Sequence, residues 1–108
     1  MSNHFTPVYH SGISTGTQLA AGTASTASLL PVDSNGSTPR ACLFVANNSS
    51  GAHIRLGTTT ASTTATAGDL FIGQVPVALI TRGMSAFAAL RDTSTAAVNV
   101  SAVPLEDG

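Results

Sequence analysis

Three histidines, one cysteine and five carboxylates are the side chains of this chain best suited to metal binding or acid–base chemistry. His4 and His10 stand six positions apart, too far for one strand face to present both to a single ion without a bend. A structural zinc site takes four ligands, and no further Cys or carboxylate lies near this pair in the chain. Surface histidines are therefore expected, with no metal and no cofactor. Cys42 lies inside the apolar run Ala41–Ala46, where a thiol behaves as a small hydrophobe rather than a nucleophile. No serine sits in a Gly-x-Ser-x-Gly elbow. Asp33, Asp69, Asp92, Glu106 and Asp107 include no evident acid–base pair. Asp33 and Asp92 fall in turn-forming stretches, where an aspartate bonds its own backbone. Asp69 is expected to open a strand and to pair with an arginine. So few ionisable groups make a catalytic constellation a poor expectation, and the chain reads as a non-enzyme.

Composition narrows the partners. The chain has 108 residues, a net charge of -1, four Arg and no Lys. That length suits one domain with one modest core. Four arginines make no basic patch for a nucleic-acid backbone. No apolar run approaches the roughly 20 residues of a membrane span, so neither nucleic acid nor a membrane is an expected partner. A single cysteine excludes a disulfide framework, and no charged n-region with an apolar h-region, the mark of a secretory signal, is seen. Only 8% of residues are charged, against about 25% in an ordinary soluble domain. Lysine commonly guards sheet edges against pairing, and here there is none. A near-neutral, weakly charged surface favours association, so much of it is expected to be covered by a partner in the working state.

Helical periodicity is poor over any window of helical length. Fifteen Thr, eight Val and four Ile suit pleated strands, and Gly, Pro, Asn and Asp punctuate the chain throughout. The expected class is all-β, a single antiparallel β-sandwich over residues 17–108 preceded by an extended N-terminal arm over 1–16. Residues 17–32 make one or two strands. Asp33–Ser37 is a turn, since Asn35-Gly36 readily takes positive φ. Ala41–Asn47, apolar on both faces, is a central strand or one covered on both sides. Asn47–Gly51 reads as a hairpin turn into His53–Leu56, with Ile54 and Leu56 inward and His53 and Arg55 outward. The Thr/Ala segment 58–66 bends or forms an edge, and Asp69–Ile72 restarts the core. Pro76 marks an edge or strand start. Ala86–Arg91 and Ala97–Val103 complete the set, the latter with Val98 and Val100 inward, and Glu106–Gly108 is an acidic tail. In the arm, Phe5 and Tyr9 are large aromatic anchors suited to docking on a neighbour. Together with His4 and His10 they are the residues expected to contact a neighbouring subunit or partner.

Ile54-Arg55-Leu56-Gly57-Thr58, the Thr/Ala run after it and Gly68-Asp69-Leu70-Phe71-Ile72 carry a resemblance, as do Arg82–Asp92 and Val98–Pro104. Over residues 41–106 the chain resembles small virion proteins of tailed bacteriophages, in the style of capsid decoration or cement proteins. The likeness is one of general pattern, and no capsid-binding residue carries over from it. It implies a jelly-roll-like sandwich, often trimeric, made in the host cytoplasm and carried on the outer capsid surface of the virion. There it would bridge major capsid protein subunits and stabilise the shell, needing extensive interface and no chemistry. Two alternatives stand beside it. One is a head–tail or tail accessory protein. The other is a carbohydrate-binding β-sandwich, although sugar sites use aromatic platforms and this chain has no Trp and one Tyr.

Overall fold

A computed structural model describes residues 9–10, 16–92 and 97–107, with side chains described for 16–92 and 97–105. The described residues form no helix and nine strands. These are β1 (Tyr9–His10), β2 (Thr17–Ala21), β3 (Thr26–Leu29), β4 (Ala41–Ala46), β5 (Ala52–Gly57), β6 (Leu70–Ile72), β7 (Val77–Ile80), β8 (Ala86–Arg91) and β9 (Val98–Asp107). One sheet runs β2–β9–β4–β7, with β1 also paired to β9, and the other runs β3–β8–β5–β6. Every strand pair is antiparallel. The all-β, two-sheet expectation is met.

Most of the expected strands appear within a residue or two of their predicted limits, and their connectivity holds the surprise. Only β5 and β6 are sequence neighbours that also pair; every other step from β2 to β9 crosses between the sheets. The turn at Asn47–Gly51 forms as its residues dictate. The Asn48 side chain accepts from the Ser50 amide at 2.9 Å, the Gly51 amide donates to the Asn48 carbonyl at 3.0 Å, and Gly51 has φ 68. It is nevertheless no hairpin, because β4 and β5 lie in different sheets. Turn chemistry reverses or redirects a chain locally. The sheet a strand joins is decided by its long-range partners, here β9 and β7 for β4, and β8 and β6 for β5.

Alternation assigns the faces. Leu19 and Ala21 of β2, Cys42, Phe44 and Ala46 of β4, and Val98, Val100 and Ala102 of β9 meet Ala52 and Ile54 of β5, Ile72 of β6, and Phe87 and Ala89 of β8 in one buried cluster. The Phe44 and Phe87 rings join the two layers edge to face, with centroids 5.6 Å apart. Leu70 and Phe71 do not restart the core as expected. They stay about half exposed, because β6 is a three-residue edge strand on which Phe71 points outward and Leu70, on the side of Ile72, sits at the strand's open end.

The strand β9 is longer than expected. It runs to Asp107 and takes in Pro104, which is buried. Asn99 uses both main-chain groups toward Asn47, donating to its side-chain oxygen at 2.8 Å and accepting from its amide at 3.0 Å. Odd positions of β9 thus address β4, and even positions address the opposite side. Pro104 therefore turns its nitrogen to the stretch between the segments paired with β2 and β1, where a missing N–H removes no ladder bond. The residues expected to form an acidic tail belong partly to this strand: Glu106 pairs with His10 and Asp107 with Tyr9.

The Thr/Ala-rich loop 58–69 lies across the outer face of the second sheet. Thr63 occupies the space a side chain at Gly57 would need, on the outward side of β5, and the Ala65 amide donates to Ser25 Oγ at the entry to β3 at 2.9 Å. Beneath this crossing, the outward-pointing Ala86 and Ala88 of β8 are completely buried. Their small size is thus explained by the loop above them as much as by the core. A side chain at position 57 should lift that loop. We expect Gly57→Val to cost about 1–3 kcal/mol, the usual range for overpacking, and to open 58–69 to limited proteolysis. A variant with unchanged thermal unfolding and cleavage pattern would mean the loop does not rest on β5.

Candidate functional site

Two places in the fold hold the features from which a function can be argued. The first is the outer face of the first sheet. On β7 it presents Ala78 and Ile80, on β4 Leu43 and Val45, and on β9 Val103 and Leu105. Register sets Leu43 beside both Ala78 and Val103, and Ala41 beside both Ile80 and Leu105. Ile80 is 76% exposed, Ala78 is exposed, and the other four are half-buried. Only Ala41 is buried on this side. Toward β2 the face ends in Ser101, Asn99, Gln18 and Ala20. No described charged side chain projects from it. Arg40 and Arg82, both exposed, flank its end where Ala41 meets Ile80. The apolar character of both faces of Ala41–Ala46 was legible in the sequence. The companion residues on β7 and β9 needed the pairing register.

The second place is a polar cluster on the other sheet. His53 points outward from β5 as expected, yet it is buried. Its Nδ1 donates to the Asp69 main-chain oxygen at 2.9 Å, and its Nε2 lies 2.5 Å from Asp92 Oδ1. A carbonyl can only accept, so Nδ1 carries hydrogen. An ionised carboxylate also only accepts, so a ring that donates in both bonds is the imidazolium. The Asp69 carbonyl contact raises the His53 pKa most. Burial opposes it, and the Asp92 hydrogen bond and the charges of Asp92 and Asp69 add to it. Both ring nitrogens are committed, and the Phe71 ring stands edge-on at 5.7 Å. Asp92 thus reaches a histidine 39 positions away; residues 93–96 of the turn it is expected to cap lie outside the described residues.

Asp69 gathers the end of the 58–69 loop. Its Oδ2 accepts from the Thr66 amide at 2.7 Å and from the Thr66 hydroxyl at 3.2 Å. Its Oδ1 accepts from Arg55 Nε at 3.0 Å and Nη2 at 2.9 Å. The expected Asp69–arginine pair is thus present. The Thr66 amide and then Arg55 hold this carboxyl below its ordinary value. Asp33 caps its own turn as expected, accepting from the Asn35 and Ser37 amides at 2.9 Å. Cys42 is fully buried. Burial pushes its thiol up, the Thr81 hydroxyl opposing, so it stays protonated at neutral pH.

These shifts have opposite signs in stability. The His53 contribution is complete below the ordinary histidine value of 6.5 and is lost as pH rises through the elevated folded value. The Asp69 contribution is complete above 3.8 and is lost as pH falls through the lowered folded value. We expect the thermal midpoint to be highest between those two ordinary values and to fall on either side, measured from about pH 3 to about pH 9. His53→Gln should flatten the alkaline decline and leave the acid one.

Of the four residues expected to make contacts, His4 and Phe5 lie outside the described residues, as does most of the expected 1–16 arm. Tyr9 and His10 are described by their backbone, which pairs with β9. Among the described residues, no three His, Cys, Asp or Glu side chains gather as metal ligands. Comparison with family models, curated proteins and solved structures finds no match to this chain.

Proposed function

We propose that this chain is a structural virion protein, a jelly-roll sandwich that decorates a tailed-phage capsid and stabilises it by bridging major capsid protein subunits. The observation that carries the reading is the outer face of β7, β4 and β9, apolar and without a described charged side chain, set against a second sheet whose outer face is crossed in part by the chain's own loop and carries the exposed Arg55. Contiguous apolar surface rimmed by polar groups is where proteins meet proteins. Arg40, Arg82, Asn99 and Gln18 supply such a rim. The jelly-roll part of the reading is supported by the winding of the chain. The pairs β2–β9, β3–β8, β4–β7 and β5–β6 alternate between the two sheets, which is the order of an eight-stranded jelly roll, an architecture of viral capsid and lectin domains. That link is one of fold and carries no function by itself; the bare face does.

The role is non-catalytic. What supports this is that both ring nitrogens of His53 are engaged within the fold and the Cys42 thiol is buried and held protonated. The working form is a homotrimer, since shells offer three-fold positions. Its N-terminal arm, with His4, Phe5, Tyr9 and His10, reaches a neighbouring subunit or the shell. The test is binding of the purified protein to shells that lack it. Saturable, reversible uptake at a copy number comparable to the major capsid protein supports the proposal, as does a native mass of three chains. No uptake overturns it, and a few copies confined to one vertex would move the protein to the head–tail junction.

A further inference from the structure

We propose that His53 is a proton-operated clasp that ties the chain at Asp92, where β8 ends, to the β5–β6 end of the second sheet. The geometry is a bridge with two arms. One ring nitrogen reaches the main chain of Asp69, where the 58–69 loop enters β6, and the other reaches the side chain of Asp92. Both arms need a hydrogen on the histidine, and a neutral imidazole has one to give. The arms are not equally secured without it. Asp69 is fixed independently by Arg55 and Thr66, so its carbonyl stays in position to accept from Nδ1. Among the described residues, Asp92 has His53 as its side-chain partner and a main-chain bond to the Gly51 oxygen of 3.4 Å, long for an N–H donor. On loss of the proton, the Nε2 lone pair faces the Asp92 carboxylate, and this arm releases.

The charged groups around the ring set the direction of the switch. Asp69 from the loop and Asp92 from the end of β8 favour the cation. Arg55, on the same strand, is drawn onto Asp69, and Arg91 precedes Asp92 on β8 opposite Ala52. Asp92 lies toward solvent with its side chain 37% exposed, which gives the proton a route to a buried ring. The clasp is therefore closed at mildly acidic pH and opens as pH rises. It differs from an inert buried ion pair because its donor titrates in the range where ordinary solutions vary.

The test uses the full chain and two readouts from nuclear magnetic resonance between about pH 5 and about pH 9. The imidazole of His53, separated from His4 and His10 by comparison with His53→Gln, should titrate as a cation with a midpoint above that of a free histidine. Across the same interval, protection of the Asp92 amide against hydrogen exchange should fall at least about tenfold beyond the intrinsic rate change, as expected for losing a charge-assisted bond. Asp92→Asn keeps an acceptor and removes the charge. It should lower the His53 midpoint and abolish the pH dependence of protection at position 92. A ring that is neutral throughout, a flat Asp92 protection profile, or a midpoint unmoved by Asp92→Asn would each overturn the proposal.

Discussion

Replacing Phe87 with alanine should lower the unfolding free energy by about 3–5 kcal/mol, the range for deleting a buried aromatic ring. Phe87 and Phe44 are completely buried on opposite sheets, and their edge-to-face contact is the largest aromatic link between the layers among the described residues. Much of the surrounding cluster is alanine: Ala21, Ala46, Ala52, Ala89 and Ala102. Short side chains cannot swing into the void, so relaxation is limited and the cost stays toward the upper end. A domain of this kind has about 5–15 kcal/mol in total, so the variant should be close to the limit of folding at 37 °C or its equivalent in denaturant. Urea unfolding followed by circular dichroism reads the effect. A loss below about 1 kcal/mol would mean that the cavity collapses or that the ring is not sandwiched between the sheets.

Leu43→Glu should leave the fold intact and abolish both self-association and shell binding. Leu43 points away from the core, between Ala78 and Val103 on the open face. A carboxylate there remains hydrated in the isolated chain, and β-sheet surfaces tolerate such a change at small cost. Once the face is covered by a partner, the charge is desolvated with no described cation projecting from the sheet to meet it. An unpaired charge buried in this way costs about 3–5 kcal/mol, more than two decades in Kd. The matched control is Thr60→Glu, an exposed position on the loop over the opposite sheet, which should bind as the unaltered chain does. Native mass, shell sedimentation and circular dichroism together separate the outcomes. A Leu43→Glu protein that still assembles and binds would show that the working interface lies elsewhere. Loss of binding by Thr60→Glu instead would point to the loop-covered side.

Particular residues show how far local reading extends. The strand at Ala97–Val103 was legible because Val98 and Val100 alternate with Asn99 and Ser101, and burial follows that alternation. Pro76 was legible as an edge signal, and β7 beside it is an edge strand with a single neighbour. Arg55 and Asp69 were within reach, since one sits in a strand and the other opens the next. His53 and Asp92 were not. Each looked like an ordinary surface or turn residue in its own window, and their meeting depends on β5 lying against β8. Ala86 and Ala88 read only as part of a strand, and their burial on its outward side depends on the fold.

The sequence alone determined that this chain is all-β, where most strands begin and end, that the Asn35-Gly36 turn takes positive φ, and that one strand would be apolar on both sides. Those properties follow from side-chain branching, alternation and glycine freedom, each acting over a few residues. Only the tertiary structure decided that most successive strands cross between sheets, that the Thr/Ala loop crosses one outer face while the other presents apolar side chains among the described residues, and that a histidine is fastened between two aspartates. These are outcomes of pairing among segments far apart in the chain, such as Cys42 with Pro104 and Ile54 with Ala89. Their free energies come from burying whole faces together, which no local window of the sequence contains.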